Sequence, residues 1–93
     1  MKFEWDETKN QKNIAKHDVS FEYATRAFLD PWRLDQVDRR KDYVEERRIL
    51  FGVIESRVFV VVYTQRNQNT RIISARKSNK RETRLYENLY IRS

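Results

Sequence analysis

The chain contains no cysteine, one glycine, one proline and one histidine. Without cysteine there is no disulfide, no thiolate metal site and no cysteine nucleophile. A secreted domain of 93 residues usually carries disulfide staples, so their lack favours the cytoplasm. One glycine leaves nothing from which to build a phosphate-cradling loop. One histidine without cysteine argues against a protein-built zinc site, and no metal or other cofactor is implied. A Ser-His-Asp triad would need His17 as base, and no G-x-S-x-G turn exists. Long apolar runs are missing too: the longest, Val58 to Tyr63, is far too short to cross a bilayer. The first ten residues are charged and unlike a signal peptide. Paired carboxylates exist, but a sugar hydrolase on so basic a surface would be out of character.

What is present is charge, unevenly placed. The net charge is +6. Residues 1–64 hold twelve basic and twelve acidic side chains, whereas 65–84 hold Arg66, Arg71, Arg76, Lys77, Lys80, Arg81 and Arg84 against Glu82 alone. The whole excess therefore sits in one short segment, which would give a polyanion local positive potential. The plainer reading is a solubilising surface. The length suits a single domain over 1–93, with one core and little to spare.

The patterning predicts an α+β fold: a small antiparallel meander packed with two N-terminal helices and one C-terminal helix. Phe3 and Trp5 alternate with charges, as in a short strand or a packed arm. Asp6 is a helix N-cap, and the first helix runs to about His17. Ser20 and Phe21 open a second helix whose Phe21, Ala24, Ala27 and Phe28 share a face, and Asp30-Pro31 ends it. Residues 32–44 hold at most an edge strand, and Asp38 to Asp42 reads as a solvated turn. Segments 46–55, 57–65 and 70–77 are strands joined at Glu55-Ser56-Arg57 and Asn67-Gln68-Asn69. The middle one is apolar on both faces and should be central. Gly52 inside a strand marks a bulge or a close backbone approach. Asn79 and Glu82 form a capping box for a helix over 80–90 with Leu85, Tyr86, Leu89 and Tyr90 as its stripe.

A set of arginines and lysines with a few acids and tyrosines suits RNA cleavage without metal. The 2′-hydroxyl of RNA supplies the nucleophile. The protein must orient the backbone, stabilise charge on the pentavalent transition state and move protons. Arginine matches phosphate oxygens with a planar fork. Arg76, on the face opposite the helices if Ile73 and Ala75 face them, is the leading candidate, beside Lys77 at the strand end. Its plainer role is a pair with an acid on a neighbouring strand. Glu46 and Arg47 at the start of the first meander strand come next, Glu46 as base or as a surface ion-pair member. Histidine is a side chain suited to proton transfer, so His17 could move a proton, or could simply end its helix. Tyr86 could approach the sheet or be core, and Glu82 reads as a cap.

The chain also resembles the BrnT toxin family. Phe3, Trp5, Asp6, Lys9, Asn13, Lys16, His17, Phe21, Ala24, Phe28 and Asp30 follow the family's N-terminal order. Glu46, Arg47 and Gly52, then Arg71 to Arg76 (RIISAR), Glu82 and Tyr86 follow its second half. The resemblance implies a RelE-like fold and a ribonuclease toxin that slows translation. It also implies a neutralising antitoxin, usually a ribbon-helix-helix DNA-binding protein like BrnA, and operator DNA bound only through the complex. Asp18 stands where the family usually has glycine; aspartate tolerates a left-handed cap better than most residues.

Three functions follow. The first is a toxin ribonuclease with Arg76 and Arg47 at the phosphate, Glu46 or His17 moving protons, and Arg71, Lys77, Lys80, Arg81 and Arg84 holding RNA. The second is a non-catalytic nucleic-acid-binding module using 65–84, with salt-steep affinity. The third is a structural protein whose basic patch docks an acidic partner. Cleaved RNA in chelator, bound but intact RNA, or neither would tell them apart.

Overall fold

The computed structural model describes residues 1–92, with side chains through Asn88. It is an α+β fold in which, among the described residues, five strands form one sheet between helices on both faces. The strands are β1 (Phe3–Glu4), β2 (Leu34–Val37), β3 (Arg48–Ile54), β4 (Arg57–Arg66) and β5 (Asn69–Lys77), in the order β1-β5-β4-β3-β2. The expected meander is β3-β4-β5, antiparallel throughout. β2 extends it antiparallel at one edge, and β1 joins β5 in parallel at the other.

Helix α1 (Glu7–His17) begins where expected, with the Asp6 carboxylate accepting from Lys9 N at 3.1 Å. It ends on Asp18 in the left-handed region at φ 58° and ψ 35°. Helix α2 (Phe21–Ala24) is short and tightens into a 3₁₀ turn over Thr25–Leu29. Phe21, Ala24, Ala27 and Phe28 are all buried, so the predicted face is the right one. They meet Leu50, Phe59, Val61, Tyr63 and Ala75 in the larger core. Helix α3 (Lys80–Arg92) covers the opposite face, where Tyr86 packs with Phe51, Val58 and Val60. Leu85 of the predicted stripe is exposed instead, and the side chains of Leu89 and Tyr90 lie outside the described residues.

Both hairpins are two-residue turns, Glu55-Ser56 and Asn67-Gln68, with all four residues at positive φ. That geometry matches the twist of the flanking strands but normally recruits glycine. The sole glycine serves elsewhere: a Cβ on Gly52 would stand 2.5 Å from the Ala27 carbonyl oxygen. Gly52 thus marks a close approach of β3 to the 3₁₀ turn, not a bulge. The bulge lies in β5, where the pairing slips between Val62↔Ser74 and Tyr63↔Ile72. This overturns the expectation that Ile73 and Ala75 share the helix-facing side. The extra residue shifts the alternation by one, so Ile72 and Ala75 line that core together.

Two buried asparagines tie helices to this frame. Asn13 Nδ2 donates to Val19 O at 2.9 Å and Ala75 O at 2.8 Å, and its Oδ1 accepts from Ala75 N at 3.2 Å. The amide takes the place of a neighbouring strand beyond the end of the short β1. Asn10 Oδ1 accepts from Phe21 N at 2.8 Å, at the start of α2.

Candidate active site

The site forms where β5 passes into α3. Arg76 pairs with Val60 of the smaller core and so points to the face opposite α1 and α2, but that face is itself covered by α3 and is not free of helices as expected. Its partner acid is not on a neighbouring strand but on α3. Nη1 lies 2.7 Å from Glu82 Oε1 and Nη2 2.8 Å from Oε2, a full fork-to-fork pair. Glu82 also completes the capping box: Asn79 N donates to Oε1 at 2.9 Å, and Glu82 N donates to Asn79 Oδ1 at 2.8 Å. One carboxylate therefore fixes the start of α3 and the direction of Arg76. The Arg76 guanidinium holds the Glu82 carboxyl below its ordinary range.

The opposing wall is the loop before β3, closed by Asp38 N donating to Arg47 O at 2.7 Å. The charges of 38–42 are expected to face water as a turn, but the Asp38 side chain has no exposed surface. Its carboxylate accepts from Arg40 Nε and Nη2, both at 2.8 Å, from Arg40 N at 3.1 Å and from Tyr43 OH at 2.9 Å. Burying a carboxylate is unfavourable unless donors surround it, and here four do. The Arg40 fork holds the Asp38 carboxyl far below the usual range. The Tyr43 ring in turn lies under the Arg47 guanidinium at 4.4 Å. Arg47 Nε is buried without a hydrogen-bond partner among the described residues.

Between the two walls lies a cleft of about 520 Å³, lined by Arg39, Arg40, Asn79, Arg81 and Glu82 over a floor that includes Phe51. It adjoins a second hollow of about 390 Å³ that shares Asp38 and Arg39 and is bordered by Tyr43, Glu46 and Arg47. Glu46 and Arg47 precede β3 and do not start it as expected. Glu46 is exposed and pairs with Arg48 Nη1 at 3.1 Å.

The other predicted residues scatter. Arg81 joins the cleft, whereas Lys80 and Arg84 line a hollow on the other side of α3 with Arg57. Lys77 pairs with Phe59 and borders a hollow near Asp18 and Val19, on the face opposite Arg76. Arg71 lies at the other end of β5, paired with Glu4 Oε2 at 2.7 Å. His17 ends α1 on the face opposite Arg76. Sequence reasoning missed Asp38, Arg39, Arg40 and Tyr43. The available signal was an aspartate followed two residues later by an arginine, the spacing of an Asx turn. Among the described residues, no three His, Asp or Glu side chains gather as metal ligands would.

A sheet faced on one side by an arginine-walled cleft defines a small basic α+β protein. A family model described as the ribonuclease toxin BrnT of type II toxin–antitoxin systems matches residues 5–82. The chain belongs to that family, and membership implies an antitoxin partner. No curated protein matches the chain. Among the described residues no helix is long and apolar enough to cross a membrane.

Proposed function

We propose that the protein, as one domain, is a metal-independent endoribonuclease whose RNA lies across the cleft between α3 and the 38–47 loop. The observation that carries this is the convergence of Arg39, Arg40 and Arg81 on one cleft, with Arg76 held on Glu82 of its wall and Arg47 in the adjoining hollow. In the reaction, the 2′-oxygen bonds to phosphorus and the bond to the 5′-oxygen breaks. The 2′-proton passes to a base, and a proton goes to the leaving 5′-oxygen. The products are a 2′,3′-cyclic phosphate and a 5′-hydroxyl.

Arg76 and Arg47 stabilise the added negative charge. A phosphate presents the same pair of oxygens as the Glu82 carboxylate and can take its place on the Arg76 fork. Glu46 is the base in this reading, because it borders the hollow that Arg47 lines, whereas His17 is on the other face. Lys80, Arg81 and Arg84 flank the start of α3 and hold the strand on either side. In the cell, cleavage slows translation in the cytoplasm. A ribbon-helix-helix antitoxin neutralises the toxin, and operator DNA is bound through the complex.

The Arg76–Glu82 pair also favours a second reading, in which Arg76 only organises α3 and the exposed bases bind nucleic acid without chemistry. Product analysis separates them. Mixed-sequence RNA incubated with the protein in excess EDTA should yield fragments with cyclic-phosphate ends. Bound but intact RNA would favour the second reading.

A further inference from the structure

Within the 38–47 loop the Arg40 guanidinium is held in a fixed direction. Arg40 has two of its nitrogens and its backbone N–H spent on Asp38, yet 63% of its side-chain surface is exposed. Nε and Nη2 make the fork, which leaves Nη1 on the side of the guanidinium away from the Asp38 carboxylate. Three features of the loop serve this one placement: the Asp38 N–H tied to Arg47 O, the buried Asp38 carboxylate, and the Tyr43 hydroxyl on that carboxylate. Arg40 lines the same cleft as Glu82, and its charge acts on both Arg76 and Glu82. With Arg39 and Arg81 in the same lining, four arginines meet two carboxylates, Asp38 and Glu82, and leave a net positive site that an anion would relieve.

We infer that Arg40 is a phosphate-contacting residue for RNA, clamping the backbone from the wall opposite Arg76, and that Asp38 is the positioning residue that aims it. This rests on the reading of the cleft as an RNA site. The clamp works by geometry as well as charge. A guanidinium pinned along one edge presents its free edge in a fixed direction and loses little freedom when phosphate arrives.

The test is binding of a 2′-O-methyl RNA oligonucleotide, which lacks the attacking hydroxyl, followed by fluorescence anisotropy across a salt series. Arg40→Ala should weaken binding about tenfold and reduce the salt slope by about one phosphate contact. Lys41→Ala removes the same charge from the same loop and should change affinity less than about twofold. Asp38→Asn adds one unit of positive charge, so bulk electrostatics predicts tighter binding; loss of aim predicts weaker binding. Equal effects of Arg40→Ala and Lys41→Ala, or tighter binding by folded Asp38→Asn, would overturn the clamp. Should Asp38→Asn fail to fold, the Arg40→Ala and Lys41→Ala comparison decides alone. Cleavage of ordinary RNA by the unaltered protein, scored separately, reports on the ribonuclease reading whatever the clamp result.

Discussion

Arg76 and Glu82 face each other fork to fork, at 2.7 and 2.8 Å, across the turn that carries β5 into α3. The same Glu82 accepts from Asn79 N, so a helix cap and an arginine clamp share one carboxylate. Glu82→Gln keeps a cap acceptor but loses the charged pair. Its stability should fall by about 0.5–1 kcal/mol, read by urea unfolding. Glu82→Ala loses both functions and should fall by about 1–2 kcal/mol. Equal effects of the two variants would mean that the cap contributes nothing, and a Glu82→Gln variant as stable as the unaltered protein would mean that the fork contributes nothing.

Acid should loosen the protein through the same carboxylates. The Arg40 fork lowers the Asp38 carboxyl from its ordinary 3.8, and Arg76 lowers Glu82 from 4.5. Both shifts are downward, so the unfolded chain takes up protons first as pH falls. The stabilisation is full above the unfolded values and is lost as pH drops through the lower folded ones. Urea midpoints should be level from pH 7 to about 5 and decline below about pH 4. Asp38→Asn should flatten that decline; an unchanged decline in the folded variant would rule Asp38 out as its source.

Asn13 does the work of a strand. Removing its amide leaves the buried Ala75 N–H and carbonyl without their partner. Asn13→Ala should destabilise by about 2–4 kcal/mol in thermal or urea unfolding. A loss below about 1 kcal/mol would show that the edge of β5 is satisfied by other means.

Gly52 and Asp18 call for opposite changes. Gly52→Ala drives a methyl group to within 2.5 Å of the Ala27 carbonyl oxygen and should cost about 1–3 kcal/mol. Asp18→Gly relieves a left-handed residue at φ 58° and should add about 0.5–1 kcal/mol. Melting temperatures of the two variants should therefore move in opposite directions.

Much of the fold is local and could be read from the chain. Asp6, Ser20 and Asn79 cap helices because a short polar side chain followed by a helical pattern leaves few other choices. The middle strand betrayed its central position by being apolar on both faces. The β5 bulge was not legible, because periodicity assumes an unbroken ladder; one inserted residue exchanged Ile73 for Ile72 in the core. At the site, Arg76 was legible from its place in a basic segment, but Glu82 as its partner was not, since a capping box accounts for Glu82 without it. Asp38 was misread because acids among arginines usually face water. Only the closed loop shows that this one is buried under its own neighbour.

The most direct test of the account is the rate of RNA cleavage in excess EDTA by Arg76→Ala beside the unaltered protein, with circular dichroism confirming that both are folded. The account predicts cyclic-phosphate products from the unaltered protein and a loss of about 100–1000-fold in the variant. An unaltered protein that binds RNA and leaves it intact, or a folded variant that cleaves at the full rate, would contradict it.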